Sequence, residues 1–524
     1  MESYASVFAQ TNFSALDWGI VVLYLTMSVS IGILANKYVG SLSDYIVAGR
    51  GMRTALGIAT LTGTEMGLVT VMYSAQKGFT GGFAAFHIGV MAGMLAFIVG
   101  ATGLIVVRLR REEVLTIPEY YGKRFGKKAQ VIGGLMLAFG GILNMGMFLK
   151  AGSMFIVGIT GLPDDGWVLK GVMIALLALV LTYTVLGGMI SVILTDYVQF
   201  VVLSFGLFLA TGLAIWKLGW TPVFDTMAEV KGEAAFNPMI AESGFGIEYV
   251  AWMAFMGLIN CAVWPTSVAR ALACDTEATV KRQYMWSSIS FAIRNIVPYF
   301  WGICAFVWII GHPDLNAVFF PESGAGLDSL YAMPVFLGQL LPVGAIGLLT
   351  AAMIAAFMST HDSYLLCWSS VLANDVLKPL AGKRLTDKGT VLATRIFVVL
   401  IGLCILTISF LFPLKEDLWD YMAVTGAIYF TGAVAVLVGG LYWKRASRAG
   451  AIGALFAGGT AVLGLGAVQH VVLGVLGFSE ERIPVIMGTF TGARVGLFTV
   501  ALTLVVMVAL SLLVPDKKRE SEVA

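Results

Sequence analysis

What this sequence has least of is charge. Asp, Glu, Lys and Arg make up 12% of its 524 residues, against 58% hydrophobic side chains and a mean hydropathy of +0.88. An average soluble chain carries about 25% charged residues. A water-soluble fold built from this composition cannot cover its apolar surface with polar groups, so a soluble enzyme is excluded. The apolar content also excludes a disordered scaffold. A net charge of only +2, with no basic stripe, excludes a nucleic-acid binder. The four histidines are scattered without metal-ligand spacing. The five cysteines (Cys261, Cys274, Cys304, Cys367, Cys404) lie in or beside apolar runs with no paired spacing. They are read as small packing residues, and a disulfide-built secreted domain is excluded. No phosphate loop of the G-x-x-x-x-G-K-[ST] type is present, which argues against ATP drive from within this chain. Alternating segments of about ten residues, the mark of a transmembrane barrel, are missing as well.

What is present is a succession of apolar stretches, each near the roughly 20 residues that cross a bilayer as a helix. Thirteen are predicted, at about 16–36, 52–75, 82–107, 129–160, 168–187, 189–216, 246–270, 284–311, 332–373, 389–413, 418–443, 449–470 and 494–514. The boundary between the fifth and sixth is marked only by Gly187 and Gly188. With the N-terminus outside, alternate inside loops hold about 23 of the 33 basic residues, from Lys37, Arg50 and Arg53 to Lys517, Lys518 and Arg519. About six fall in outside loops. The positive-inside rule then places the C-terminus in the cytoplasm. The first stretch is too long, and its fifteen-residue leader too poor in basic residues, for a cleaved signal.

Polar residues inside spans mark the working parts, because each is costly there. Glu65 lies mid-span in TLTGTEMGLVT, between Gly63 and Gly67 and among Thr60, Thr62 and Thr64. Such a run weakens a helix and frees carbonyls for a cation; a close packing face of two glycines four apart is the plainer alternative. In the ninth span, Ser359, Thr360, Asp362, Ser363 and Ser370 offer the oxygen ligands that suit sodium. Asp196 sits in an otherwise uncharged part of the sixth span. In the seventh, Pro265 interrupts the helix ladder near Asn260 and Trp264. The interrupted second and seventh spans are five apart, the arrangement of inverted repeats holding solute and ion at the midplane. The expected division is 1–50 for the outer N-terminal end, first helix and cytoplasmic loop, 51–217 for the first repeat (spans 2–6), and 218–245 for an outside loop. The second repeat (spans 7–11) follows at 246–444, then two peripheral helices at 445–514 and a cytoplasmic tail at 515–524.

Four segments carry a resemblance: SDYIVAGR (43–50), TIPEYYGKRFG (116–126), YTVLGGMISVILTDYVQF (183–200) and AAFMSTHDSYLLCWSSVLANDV (355–376). Together they resemble the sodium:solute symporter family. The resemblance implies an all-α polytopic fold of the leucine-transporter (LeuT) type. Its core is a five-plus-five inverted repeat, with one extra N-terminal and two extra C-terminal helices. It implies sodium as the coupling ion, with shared-site carbonyls matching Gly63, Met66 and Ala356 and hydroxyls matching Ser359 and Thr360. Asp196, Asp362 and Ser363 match positions of a second cation site. Departures bear on the solute. Glu65 stands where proline-carrying members have Asp, and Gly257 and Cys261 replace their Trp and Tyr, while Pro265 and Arg270 match. Asn144 occupies the place of an arginine in sugar-acid carriers.

The chain is thus expected to be no enzyme but a multi-pass transporter of the plasma (inner) membrane, in contact with lipid. It imports a small polar solute, an amino acid or similar zwitterionic metabolite being favoured. Thr64, Glu65, His87, Asn144, Asn260 and Trp264 are the candidate solute contacts. A sugar or monocarboxylate symporter, a proton-coupled carrier and a non-transporting sensor on the same fold are the alternatives. The nine residues after Pro515 leave no room for a fused kinase. Oligomeric state is not legible.

Overall fold

The computed structural model describes residues 7–35, 41–163, 165–322, 324–412 and 417–516. Lys37, Lys517, Lys518 and Arg519 of the charge count lie outside the described residues, as does the side chain of Asp44. In lipid, backbone groups must be satisfied within the segment, and the described chain is helical almost throughout. After α1 (Ala15–Ala35), the predicted second span is two helices, α2 (Thr54–Glu65) and α3 (Leu68–Gly81). Met66, at φ −104° and ψ 63°, and Gly67, extended at φ −83° and ψ 165°, separate them. Next come α4 (Phe86–Thr102), α5 (Lys127–Met145) and α6 (Phe148–Thr160).

Gly166–Leu218 forms one continuous run, α7, of 53 residues. At 1.5 Å per residue it is about 80 Å long, far more than one crossing requires. It contains two apolar segments, Gly166–Thr182 and Val192–Leu218, corresponding to the predicted fifth and sixth spans.

The predicted seventh span is again broken, into α8 (Ile247–Ala262) and α9 (Pro265–Ala273). Pro265 does not kink a continuous helix there. It is the first residue of α9, where its missing N–H costs no bond. The chain continues through α10 (Glu277–Ile310). The predicted ninth span is two elements, α11 (Ala332–Leu340) and α12 (Ala345–Val371). Pro342 and the positive φ of Gly344 (+87°) lie between them, so apolar character extended the prediction across a true turn. Then follow α13 (Asp387–Leu411), α14 (Leu418–Tyr442), α15 (Arg448–Gly458), α16 (Gly466–Val475) and α17 (Gly492–Leu513).

Among the described residues, nine helical stretches are long and apolar enough to cross a membrane, or up to ten if the pair bent by 91° at 464–466 is one span. The thirteen predicted spans exceed this number because broken and short segments, such as Ala15–Ile31 and Gly166–Thr182, fall below a full crossing length. Burial sorts the helices. In the stretch containing α12, 89% of the apolar window is buried, against 28% for α13 and α17. α12 is therefore a central pillar and the other two are peripheral. Its N-terminus is fixed by Asp17, whose Oδ1 accepts from the Gly344 and Gly347 amides at 2.7 and 2.9 Å. Oδ2 of the same carboxylate accepts from the Ser14 amide at 2.9 Å at the start of α1.

Candidate ion and solute site

The break between α2 and α3 frees carbonyls against α12. Gly67 is required there, since a Cβ would lie 2.0 Å from Thr360 Oγ1 and 2.9 Å from Thr360 Cβ. The freed carbonyl of Thr64 accepts from Thr360 Oγ1 at 3.2 Å, and that of Glu65 accepts from Thr70 Oγ1 at 3.2 Å. Among the described residues, no recorded hydrogen bond reaches the Gly63 or Met66 carbonyl across the break. One turn of α12 presents both Ser359 and Thr360, fully or almost fully buried, with Ala356 preceding them. Ser359 Oγ donates to Asp196 Oδ1, and Thr360 Oγ1 donates to Thr64 O. With their protons committed, both hydroxyls have only lone pairs left to offer. Two such oxygens beside freed carbonyls form a donor set suited to a hard monovalent cation.

Asp196 is 0% exposed and organises this corner. Its Oδ2 accepts from Thr60 Oγ1 at 2.5 Å, Thr64 Oγ1 at 3.3 Å and Arg270 Nη2 at 3.4 Å. Arg270 Nη2 also donates to Ser363 Oγ at 2.5 Å, and Ser363 Oγ lies 3.2 Å from both Thr64 Oγ1 and Asp362 Oδ1. The residues singled out for a second cation are thus brought together around a cation that the chain itself supplies, the Arg270 guanidinium.

Glu65 faces the opposite way. Its Oε1 accepts from Thr266 Oγ1 at 3.1 Å and Ser267 Oγ at 2.6 Å, which ties the break in α2 to the start of α9. Its Oε2 is 2.8 Å from Nη1 of Arg294 on α10, and the same Nη1 donates to the Glu65 carbonyl at 2.9 Å. Beyond this pair is a cavity of 60 Å³ for the centres of water-sized atoms, room for roughly four to six waters at 10–15 Å³ each. Thr64, Glu65, Asn144, Asn260 and Trp264 line it; His87 does not. His87 Nδ1 instead lies 2.6 Å from the Ala84 carbonyl, with the ring edge-on to Phe245. Trp264 donates Nε1 to Tyr364 Oη at 2.9 Å and meets Phe430 edge-to-face, with centroids 4.8 Å apart. Tyr73 and Trp419, centroids 4.5 Å apart, line it as well. Near them Lys77 of α3, 5% exposed, pairs with Asp417 and Asp420 of the α14 N-terminus at 3.2 and 2.9 Å.

Arg294 and Lys77 are the residues that sequence reasoning missed. Arg294 lay within a predicted span, where any charge is a signal. Lys77 fell between two predicted spans and so had the pattern of a loop residue.

Comparison with known proteins gives the family. The family model described as "SSF: Sodium:solute symporter family" matches residues 45–458. The chain is 25% identical over 486 residues to the sodium/glucose cotransporter 4 of Danio rerio, covering 86% of this chain and 71% of that one. It is 27% identical over 459 residues to the high-affinity proline transporter PutP of Bacillus subtilis, covering 83% and 88% respectively. Its backbone is similar to a sodium-coupled sialic acid symporter solved in a substrate-bound outward-open state. The TM-score is 0.76 and the identity 17%, over 97% of this chain and 100% of that one. With a family model spanning most of the chain and two broken helices meeting at an oxygen-lined corner, this multi-pass membrane protein belongs to the sodium:solute symporter family, transporters coupled to sodium.

Proposed function

We propose that the chain imports a small polar organic solute together with sodium by alternating access across the plasma (inner) membrane, with its N-terminus outside. An amino acid or similar zwitterionic metabolite is the favoured cargo. The observation that carries this reading is the pair of proton-committed hydroxyls, Ser359 and Thr360, set against the break of α2. Sodium at Gly63, Met66, Ala356, Ser359 and Thr360 would join α2 to α12, across the boundary between the repeats 51–217 and 246–444. A cation that binds one conformation better than the other is all that coupling needs. A tenfold sodium gradient supplies about 1.4 kcal/mol, and 100 mV supplies roughly 2.3 kcal/mol per charge. One sodium therefore concentrates a neutral or zwitterionic solute roughly 500-fold. The Arg270 guanidinium beside Asp196 and Ser363 favours a single sodium, because a second ion among Asp196, Asp362 and Ser363 would have to displace it. Relatives named for glucose and myo-inositol keep a polyol cargo as the second reading.

The test is the thermal unfolding of the purified full-length protein in sodium chloride against choline chloride. A ligand of the folded form raises apparent stability by RT ln(1 + [L]/Kd). Sodium is expected to raise Tm in the wild type and to lose that effect in Ser359→Ala/Thr360→Ala. An equal Tm in both salts would remove the sodium reading, and stabilisation by a sugar alone would remove the amino-acid class.

A further inference from the structure

Arg294 is 4% exposed and lines the cavity, yet most of its hydrogen-bonding capacity is unused. A guanidinium carries five N–H donors. Those of Nη1 go to the carbonyl and carboxylate of Glu65 at 2.9 and 2.8 Å. Nε has no partner, and no hydrogen bond of Nη2 is recorded. Glu65 by contrast already receives three side-chain donors, from Thr266, Ser267 and Arg294. The ion pair is therefore rich in donors and short of acceptors on the cavity wall. Buried donors without partners are costly, and the edge formed by Nε and Nη2 has the fork geometry that carboxylates fill with two parallel bonds.

A second orphan lies in the same cavity. Asn144, 2% exposed, donates Nδ2 to the Met422 carbonyl at 2.9 Å and to Thr425 Oγ1 at 3.1 Å. A backbone carbonyl can only accept, so the amide orientation is fixed and the partnerless atom is the acceptor Oδ1. The cavity thus has unmet donors at Arg294 and an unmet acceptor at Asn144. Thr64 and Thr360, which line it, also belong to the sodium corner.

From this complementarity we infer that the cargo is a small organic acid bearing an amino or hydroxyl donor: its carboxylate docks on Arg294, its donor on Asn144 Oδ1. This rests on the symporter reading and narrows it. The Glu65–Arg294 pair is neutral as a unit, so the carboxylate's negative charge is added to a low-dielectric site, in full for a hydroxy acid and offset by the ammonium for an amino acid. Sodium across the Thr64–Thr360 wall compensates that charge, which gives the ion and the acid a direct electrostatic reason to bind together.

The probes are L-alanine, L-proline and L-lactate, their primary amides, acetate, glucose and myo-inositol, each scored by thermal shift of the full-length protein in sodium and in choline. At least one of the three acids is expected to stabilise the protein in sodium. Its amide should be about 100-fold weaker and acetate roughly tenfold weaker for loss of the donor contact. Alanine or proline on one side and lactate on the other separate amino from hydroxy acids. In Arg294→Gln/Glu65→Gln, which removes both charges together, acid and amide are expected to become equivalent. The wild-type comparison of acid with amide stands even if that variant does not fold. Equal affinity for acid and amide, stabilisation by glucose or myo-inositol to match the best acid, or silence of all three acids overturns the assignment if sodium alone still stabilises. Loss of the sodium shift in the wild type overturns the symporter reading instead.

Discussion

Gly67 and Gly63 flank Glu65, yet they do different work. A Cβ at Gly67 collides with Thr360 Oγ1 and Cβ, whereas one at Gly63 meets Asp196 O, Ser359 Oγ and Asp196 Cβ only at 3.5–3.7 Å, ordinary contact distances. Gly67→Ala is accordingly expected to push Thr360 away from the break and abolish sodium-dependent stabilisation. Gly63→Ala should retain most of it. Both outcomes are read from Tm against sodium concentration, and equal sodium affinities in the two variants would contradict the geometry. Ser359, Thr360 and Asp362 point to a cation from the sequence, because hydroxyls and an acid stand out in an apolar run, whereas Asp196 joins them only through the family resemblance. Nothing in the sequence hints that Glu65 is paired. Its partner Arg294 is 229 positions away, and only the packing of α10 against α2 and α3 brings the two charges together.

At the scale of elements, α3 and α10 pack backbone to backbone. A Cβ on Gly302 would lie 1.9 Å from Ala75 O and 2.7 Å from Phe79 N, and one on Gly78 would lie 2.0 Å from Tyr299 O. Main chain cannot swing aside as a side chain can, so Gly302→Ala is expected to cost about 1–3 kcal/mol or more by forcing the helices apart. Denaturation of the purified variant, with Gly212→Ala as a control at a site open to 4 Å, measures it. Helix breaks were legible from the sequence in the second and seventh spans, where Gly, Thr and Pro interrupt apolar runs. The turn between α11 and α12 was not, because Leu340, Leu341 and Val343 keep hydropathy high across Pro342. Hydropathy reports composition, so apolar residues at an exposed turn, such as Pro342 and Val343, read like those of a helix.

For the whole molecule, the loops between spans carry the orientation. Arg108 and Arg111 line one hollow with Lys123 and Arg124, and Arg110 donates to the Cys274 and Asp275 carbonyls at 2.9 and 3.3 Å at the end of α9. This basic face is expected in the cytoplasm. A single cysteine introduced at exposed Arg111 of a cysteine-free variant should label only after permeabilisation, and one at exposed Glu233 should label in intact cells; the reverse pattern inverts the topology. One further consequence follows from the shared wall of Thr64 and Thr360. The ion corner is made of main-chain carbonyls and hydroxyls on one side, whereas the cavity is finished by side chains contributed from α5, α8 and α10 on the other. On the proposed reading, substitution at Asn144 or Asn260 is expected to change the cargo and leave the sodium corner as it is.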